Sequence, residues 1–119
     1  MSDIRIIFSG TGGVAKNLTR LLQSRPGIRI VGALSCNPHH AGEDLGTHAG
    51  IAPVGVTISN EREQALNQKA DLLLVATTSF LREVAIDIRA GIARGLNVIT
   101  TAEEAAFPWS TDPNLSNEI

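Results

Sequence analysis

Short apolar runs alternate along the chain with segments whose apolar residues recur at helical spacing. Runs of this length, bounded by glycine or polar clusters, are typical of buried strands. They predict four strands, at residues 4–8, 28–34, 71–76 and 97–100. The helical spacing predicts helices over about residues 13–23 and 81–92, with Gly95 capping the second at its C-terminus.

Between the second strand and residue 71 the pattern is weaker. It predicts a polar loop over residues 35–40, a short helix within 41–48, a strand over 54–58 and a short helix over 61–67. Strands that alternate with helices imply right-handed crossovers and a mostly parallel sheet. The predicted fold class is therefore a Rossmann-type, doubly wound α/β domain over residues 1–119, with helices on both faces of the sheet.

The last residues of the chain have the pattern of a helix start. Asp112 is suited to an N-cap, and Pro113 is suited to the first helical position. Only a few residues follow, so we expect the chain to be a fragment of a longer protein that lacks a C-terminal domain.

A glycine-rich turn, Gly10-Thr11-Gly12-Gly13-Val14-Ala15, follows the first predicted strand and opens the first helix. In the dinucleotide-binding pattern Gly-x-Gly-x-x-Gly/Ala, the first glycine makes the turn. The second lets a pyrophosphate approach backbone N–H groups, and the third small residue lets the helix pack on the strand. Gly10, Gly12 and Ala15 occupy these places, with Gly13 as a further permissive position. A purely structural turn would also use glycine, but the position in the first strand–turn–helix unit favours a cofactor site.

Polar residues follow two further predicted strands, where an open parallel sheet binds its ligands. They are Thr77-Thr78-Ser79 and Thr100-Thr101, and their hydroxyl and N–H groups could contact the nicotinamide half of a cofactor. Thr78 or Ser79 could equally cap the following helix. Glu103 and Glu104 could stabilise a helix N-terminus.

The end of the second strand bears on the choice between NAD and NADP. Proteins that prefer NAD usually place an acid there, but this chain has Ser35, Cys36 and Asn37, and its first acid is Glu43. A missing carboxylate removes a barrier to the additional phosphate of NADP, although no arginine lies in this loop to clamp it. These observations favour NADP slightly. His39 and His40 are interpreted as solvated loop residues that could add donors.

Composition bears on the partners of the protein and on its location in the cell. A net charge of −2, few aromatic residues and no tyrosine disfavour a nucleic-acid partner. No apolar stretch approaches the ~20 residues of a membrane span, and the N-terminus lacks a signal peptide pattern. A single cysteine, Cys36, is compatible with a reducing cytoplasm, where we expect the protein to reside.

No metal site or catalytic set is predicted. Cys36 has no companion at ligand spacing, and His39, His40 and His48 lie in the predicted loop region without a carboxylate or thiol cluster. No nucleophile, base and acid form a plausible set, so the chain is expected to hold a cofactor without a complete catalytic apparatus.

The chain resembles dihydrodipicolinate reductase-like enzymes, in particular the branch that contains 2,4-diaminopentanoate dehydrogenase and related amine dehydrogenases. The resemblance covers nearly the whole chain. It is carried by the opening at residues 4–15, the stretches at 31–34 and 37–46, the strand at 71–78, and most specifically residues 97–109.

This resemblance implies an N-terminal NAD(P)-binding domain followed by a larger domain with the substrate contacts and the subunit interface of a homo-oligomer. It implies hydride transfer between the nicotinamide cofactor and an imine-forming or unsaturated amino-acid substrate. It places Gly10, Gly12, Gly13 and Val14 at the pyrophosphate and Ser35 at the adenosine ribose. Thr77, Thr78 and Thr101 fall near the nicotinamide. No catalytic residue is transferred, because the substrate domain is outside this sequence.

A different function class uses the same fold. A non-enzymatic regulatory domain could bind a dinucleotide or coenzyme A, because fold does not determine function. Such a sensor normally carries an effector module such as a helix-turn-helix, and no segment of this sequence resembles one.

Overall fold

A parallel sheet forms the centre of the structure, a computed structural model that describes residues 3–106 and 108–118. Within these residues the order of the strands is β3-β2-β1-β4-β5, and every neighbouring pair is parallel. The strands are β1 (Ile4–Ser9), β2 (Ile28–Leu34), β3 (Ile58–Ser59), β4 (Leu72–Val75) and β5 (Asn97–Thr100). The predicted α/β class is confirmed.

Helices connect the strands. The described helices are α1 (Gly13–Leu22), α2 (Leu45–His48), α3 (Arg62–Leu66), α4 (Leu81–Ala93), α5 (Pro108–Thr111) and α6 (Pro113–Glu118), with 3-10 turns at Pro38–His40 and Glu103–Ala106. None of the helices in the described part of the chain has the length and apolar character needed to cross a membrane.

The sheet has a hydrophobic core on each face, because successive residues of a strand point to opposite sides. Ile6 and Phe8 of β1 pack on one side with Ala15 of α1. Ile7 between them packs on the other side with residues of β4 and α4, including Leu73 and Val84. The doubly wound arrangement with helices on both faces is therefore confirmed.

The C-terminus of α4 ends as the sequence predicts. Gly95 has a φ of +75°, a left-handed conformation that glycine adopts without steric cost. Its N–H donates to Ile92 O at 2.9 Å, and the N–H of Leu96 donates to Gly91 O at 3.0 Å. These two bonds form a Schellman motif, which directs the chain into β5.

The region between β2 and β3 differs from the prediction. The third strand is present, but its predicted bounds of 54–58 are wrong, since only Ile58 and Ser59 form it. Gly55 has a φ of +81°, which interrupts an extended backbone. Asp44 holds the residues before β3 in a turn, because its carboxylate accepts hydrogen bonds from the N–H groups of Val54 and Gly55 at 3.0 and 2.8 Å. The predicted loop over residues 35–40 also contains a 3-10 turn.

The helix predicted to start near the end of the chain is present. α6 begins at Pro113, and Asp112 Oδ1 accepts from the N–H of Leu115 at 3.1 Å, as an N-cap does. The preceding helix α5 was not predicted, because its four residues are too few to show a period.

Replacing Asp44 with alanine is expected to destabilise the domain. Its carboxylate also caps α2 through the N–H groups of Gly46 and Thr47. We expect Asp44→Ala to lower the free energy of unfolding by about 1 to 2 kcal/mol in urea denaturation at pH 7. Asp3→Ala removes an exposed acid and serves as the control, with a change of about 0.5 kcal/mol or less.

The effect of Asp44→Ala should depend on pH. Burial acts to raise the pKa of Asp44, but its four backbone N–H partners outweigh it and hold that pKa below the ordinary value. A carboxyl with a depressed folded pKa stabilises the fold above its unfolded pKa of about 3.9 and loses this contribution as the pH falls through the folded pKa. The difference between wild type and variant should therefore shrink in acid. An equal difference at neutral pH and well below about pH 4 would contradict this explanation.

Candidate functional site

The carboxyl ends of the strands bring the predicted site segments to one edge of the sheet. In the strand register, Ser9 of β1 lies beside Leu34 of β2 and Val75 of β4, and Val75 lies beside Thr100 of β5. The glycine turn, Ser35 and Thr101 follow these residues directly, and Thr77 follows Val75 after one residue. The structure thus gathers them at the edge where open parallel sheets bind ligands.

Gly10 is required by the fold itself. Its φ is +112°, and a Cβ built on it would lie 2.3 Å from the carbonyl oxygen of Ala76. Any other residue would collide with the backbone at the end of β4. The first glycine of the motif therefore allows the turn to pass in contact with the neighbouring strand end.

The next two glycines are not required by packing. Gly12 has a φ of −80°, and a Cβ on Gly12 or Gly13 would meet no protein atom within 4 Å. Both residues are exposed, so an open space lies in front of their backbone. Ala15 is by contrast 1% exposed and packs in the core, as expected for the third small residue. The open space matches the requirement of a phosphate that approaches backbone N–H groups.

The N-terminus of α1 has no acidic cap among the residues that the structure describes. Gly12 is its N-cap and offers no side-chain acceptor, and the first turn contains no acidic residue. The N-terminus of α4 is occupied by a carboxylate, because Leu81 N–H donates to Glu104 Oε1 at 2.9 Å. The positive end of α1 is therefore available to an external anion, whereas that of α4 is already compensated.

Thr11 connects the glycine turn to the end of β2. Its hydroxyl donates to Ser35 Oγ at 3.0 Å and lies 3.1 Å from His40 Nδ1. Ser35 Oγ also accepts from the N–H of Asn37 at 3.1 Å. Thr11 and Ser35 are both buried, so their hydroxyl groups fix the two loops relative to each other.

His48 of α2 holds the backbone of the same turn. Its Nε2 lies 2.8 Å from Thr11 O, and its Nδ1 lies 2.8 Å from Glu43 Oε2. The rings of His40 and His48 pack together with their centroids 4.4 Å apart. The interpretation of His40 as a solvated loop residue is therefore wrong, because both histidines support the turn.

Thr77, Thr78 and Thr101 lie on the other side of the glycine turn and are exposed. Thr78 Oγ1 accepts from the N–H of Phe80 at 3.2 Å. The N-cap of α4 is Phe80, without a side-chain hydrogen bond, so the capping role considered for Thr78 or Ser79 is wrong. The role considered for Glu104 at a helix N-terminus is confirmed.

A cavity of about 270 Å³ is lined by Ser9, which precedes the turn, and extends from Ser35 and Cys36 to Thr77. Its polar lining includes Ser9, Asp87 of α4 and Arg62 of α3. Asp87 is 6% exposed; Ser9 Oγ donates to its Oδ2 and Arg62 Nε to its Oδ1, each at 2.6 Å. The sequence places no arginine in the loop after β2, but the fold brings one beside that loop from α3.

A larger cleft of about 550 Å³ lies at the opposite edge of the sheet, beside Arg5 and Arg29. Ligands of open parallel sheets bind at the carboxyl ends of the strands, so the smaller cavity next to the glycine turn is the candidate. In the described part of the chain, no three or more His, Cys, Asp or Glu side chains are grouped to hold a metal ion.

Comparison with known proteins assigns the family. Residues 4–101 match the family described as dihydrodipicolinate reductase, N-terminus. The chain belongs to this family. The dihydrodipicolinate reductase family binds a pyridine nucleotide, in agreement with the motif and with the shape of the site.

Two curated relatives illustrate the range of the dihydrodipicolinate reductase family. A 2,4-diaminopentanoate dehydrogenase of Acetoanaerobium sticklandii is 31% identical over all of this chain and 34% of its own length. A 4-hydroxy-tetrahydrodipicolinate reductase of Rhodopseudomonas palustris is 35% identical over 90% of this chain and 41% of its own length. The chain thus spans between a third and a half of these relatives.

Solved structures agree with this assignment. The structure of an amine dehydrogenase from Mycobacterium smegmatis superposes with a TM-score of 0.86 at 34% identity, covering 98% of this chain and 35% of the other. A dehydrogenase from Chromobacterium violaceum superposes with a TM-score of 0.55 at 20% identity, covering 84% of this chain and 28% of the other, and supports the fold alone.

The two motif glycines should differ in their effect on stability. Gly10→Ala places a Cβ against Ala76 O in a left-handed backbone, so we expect a loss of about 2 to 4 kcal/mol in the free energy of unfolding. Gly12→Ala meets open space and should cost about 1 kcal/mol or less, because alanine is only a poorer N-cap than glycine. Thermal and urea unfolding of both variants measure this difference. Equal losses would show that the backbone at Gly10 relaxes freely.

Proposed function

We propose that this chain is the NAD(P)H-binding domain of an oxidoreductase that acts on an amino-acid or diamino-acid substrate. The observation that carries the proposal is the uncompensated N-terminus of α1 behind an open glycine turn. Packing explains Gly10 but not Gly12 or Gly13, whereas close approach of a phosphate explains both. Membership of a family that binds pyridine nucleotides supports the same ligand.

The residues divide between the parts of the cofactor. Backbone N–H groups of Gly12, Gly13 and Val14 would hold the pyrophosphate. Ser35 would lie at the adenosine ribose, with Thr11 fixing its distance from the turn. Thr77, Thr78 and Thr101 would lie near the nicotinamide. When bound, the cofactor would exchange a hydride with the substrate, and the protein groups named above would bind and orient it.

The residues that contact the substrate are proposed to lie outside this chain, in a longer protein. The relatives are named for a diamino acid and for a tetrahydrodipicolinate, and this chain spans 34% and 41% of their lengths. We propose that a following domain supplies the substrate contacts and the interface of a homo-oligomer, and that the protein works in the cytoplasm. The catalytic residues would then lie in that domain.

We further propose that NADPH binds more tightly than NADH. The residues after β2 are Ser35, Cys36 and Asn37, so no carboxylate stands directly after the strand to repel a 2′-phosphate. The next acid, Glu43, is engaged with His48.

Calorimetric titration with NADPH and NADH tests cofactor binding. We expect Gly12→Val to abolish binding, because the branched side chain fills the space of the pyrophosphate while meeting no protein atom at its Cβ. Circular dichroism and the unfolding midpoint should remain near the wild-type values. Failure of the wild type to bind either nucleotide at millimolar concentration would contradict the proposal. Displacement of NADPH by coenzyme A at lower concentration would instead favour a regulatory domain.

His48 should support cofactor binding without contacting the cofactor. Loss of its hydrogen bond to Thr11 O removes about 1 kcal/mol, so His48→Ala should weaken NADPH binding by about three- to tenfold. His39→Ala is the matched control, because His39 is exposed in the nearby 3-10 turn and its side chain makes no hydrogen bond within the described residues. Equal affinities of the two variants would refute the supporting role.

A further inference from the structure

We infer that Arg62 recognises the 2′-phosphate of NADPH and is the residue that selects NADPH over NADH. This inference rests on the proposed cofactor function and adds the group that reads the additional phosphate. It is carried by the cavity that Arg62 shares with Ser35 and Cys36, the residues that follow β2.

The position of Arg62 matches the place of that phosphate. In a dinucleotide-binding fold, the residue after β2 meets the adenosine ribose, and its 2′ substituent points to this same region. Here Ser35 and Cys36 occupy that place and line one side of the cavity, while Arg62 lines it from α3. Among the lining residues the structure describes, Arg62 is the one cation.

Only part of the guanidinium is used within the protein. Its Nε donates to Asp87 Oδ1 at 2.6 Å, whereas its two Nη groups make no hydrogen bond within the described residues. The Arg62 side chain is 40% exposed, so these groups can reach a ligand. The two free Nη groups form one edge of the guanidinium, and such an edge is suited to bidentate contact with phosphate oxygens.

Asp87 does not oppose this role. It is the one carboxylate among the described lining residues, and both of its oxygens already accept short hydrogen bonds, from Ser9 Oγ and Arg62 Nε. A free carboxylate at this place would bind the ribose hydroxyl of NADH and repel NADPH. Asp87 is instead committed to the arginine, and it holds the guanidinium in the cavity before a ligand arrives.

The test measures the affinities of NADPH and NADH for the wild type and for Arg62→Gln. We expect Arg62→Gln to weaken NADPH binding by about 10- to 100-fold, because a charged hydrogen-bond pair is lost. NADH binding should change by less than about threefold, so the preference for NADPH collapses. Adenosine 2′,5′-bisphosphate and AMP, used as shorter probes, should show the same loss for the bisphosphate alone.

Arg5→Gln is the matched control. Arg5 also pairs with an aspartate, Asp71, and its side chain is likewise 40% exposed, but it lies at the opposite edge of the sheet. Its replacement should leave both affinities unchanged. Arg62→Lys retains a charge beside Asp87 and serves if the glutamine variant unfolds; we expect it to lower the NADPH preference by about three- to tenfold, because bidentate contact is lost.

Two outcomes separate the inference from the proposed function. If the wild type binds both nucleotides and folded Arg62 variants keep the wild-type ratio of affinities, Arg62 serves only as the counterion of Asp87 and the inference is overturned. If the wild type binds neither nucleotide, the proposed function fails and the inference fails with it.

Discussion

Gly10 turns the chain where its Cα lies against the carbonyl group of Ala76, and the geometry of the whole edge follows from this close approach. The N–H of Gly10 donates to Leu34 O, and Ala76 N–H donates to Ser9 O, each at 2.8 Å. The turn is therefore fixed between the ends of β2 and β4. The helix that it opens begins at the centre of the sheet, where a ligand can reach both neighbouring strand ends.

The two long helices, α1 and α4, differ in whether an acidic side chain of the protein compensates the positive potential at the N-terminus. Glu104 satisfies the N-terminus of α4, and Glu83 adds a second acid in its first turn. α1 receives neither kind of compensation within the described residues. A helix terminus with orphan N–H groups is stabilised by an anion, so the glycine turn at the start of α1 leaves room for an external anion.

Features that depend on residues close together in the sequence were predictable from it. The four long strands, α1, α4 and the Gly95 cap follow from periodicity and backbone preference, and the glycine turn follows from a local motif. The predicted bounds of the third strand, 54–58, are wrong because Gly55 has a positive φ and Asp44 accepts hydrogen bonds from the adjoining N–H groups. Both features belong to a turn, and the alternation of apolar and polar residues along the sequence does not indicate that turn.

The supporting residues of the site could not be predicted for the same physical reason. His48 contacts Thr11 across 37 positions, and Arg62 contacts Asp87 across 25. Neither pair lies within one element, so no spacing in the sequence marks it. The residue types also pointed elsewhere, since histidines in a polar loop and an arginine near the start of a short helix are usually solvated.

These long-range contacts hold the site in place before a ligand binds. Thr11 contributes its hydroxyl to Ser35 and its carbonyl oxygen to His48, so hydrogen bonds hold the glycine turn against the end of β2 and against α2. Ser9, which directly precedes the turn, anchors Asp87 and thereby Arg62. Ordering flexible groups costs affinity, and groups already ordered in the free protein avoid that cost. Two sets of hydrogen bonds are therefore ordered in the free domain. One joins His48, Thr11 and Ser35, and the other joins Ser9, Asp87 and Arg62. Together they explain how a small domain can present a fixed surface to an extended cofactor.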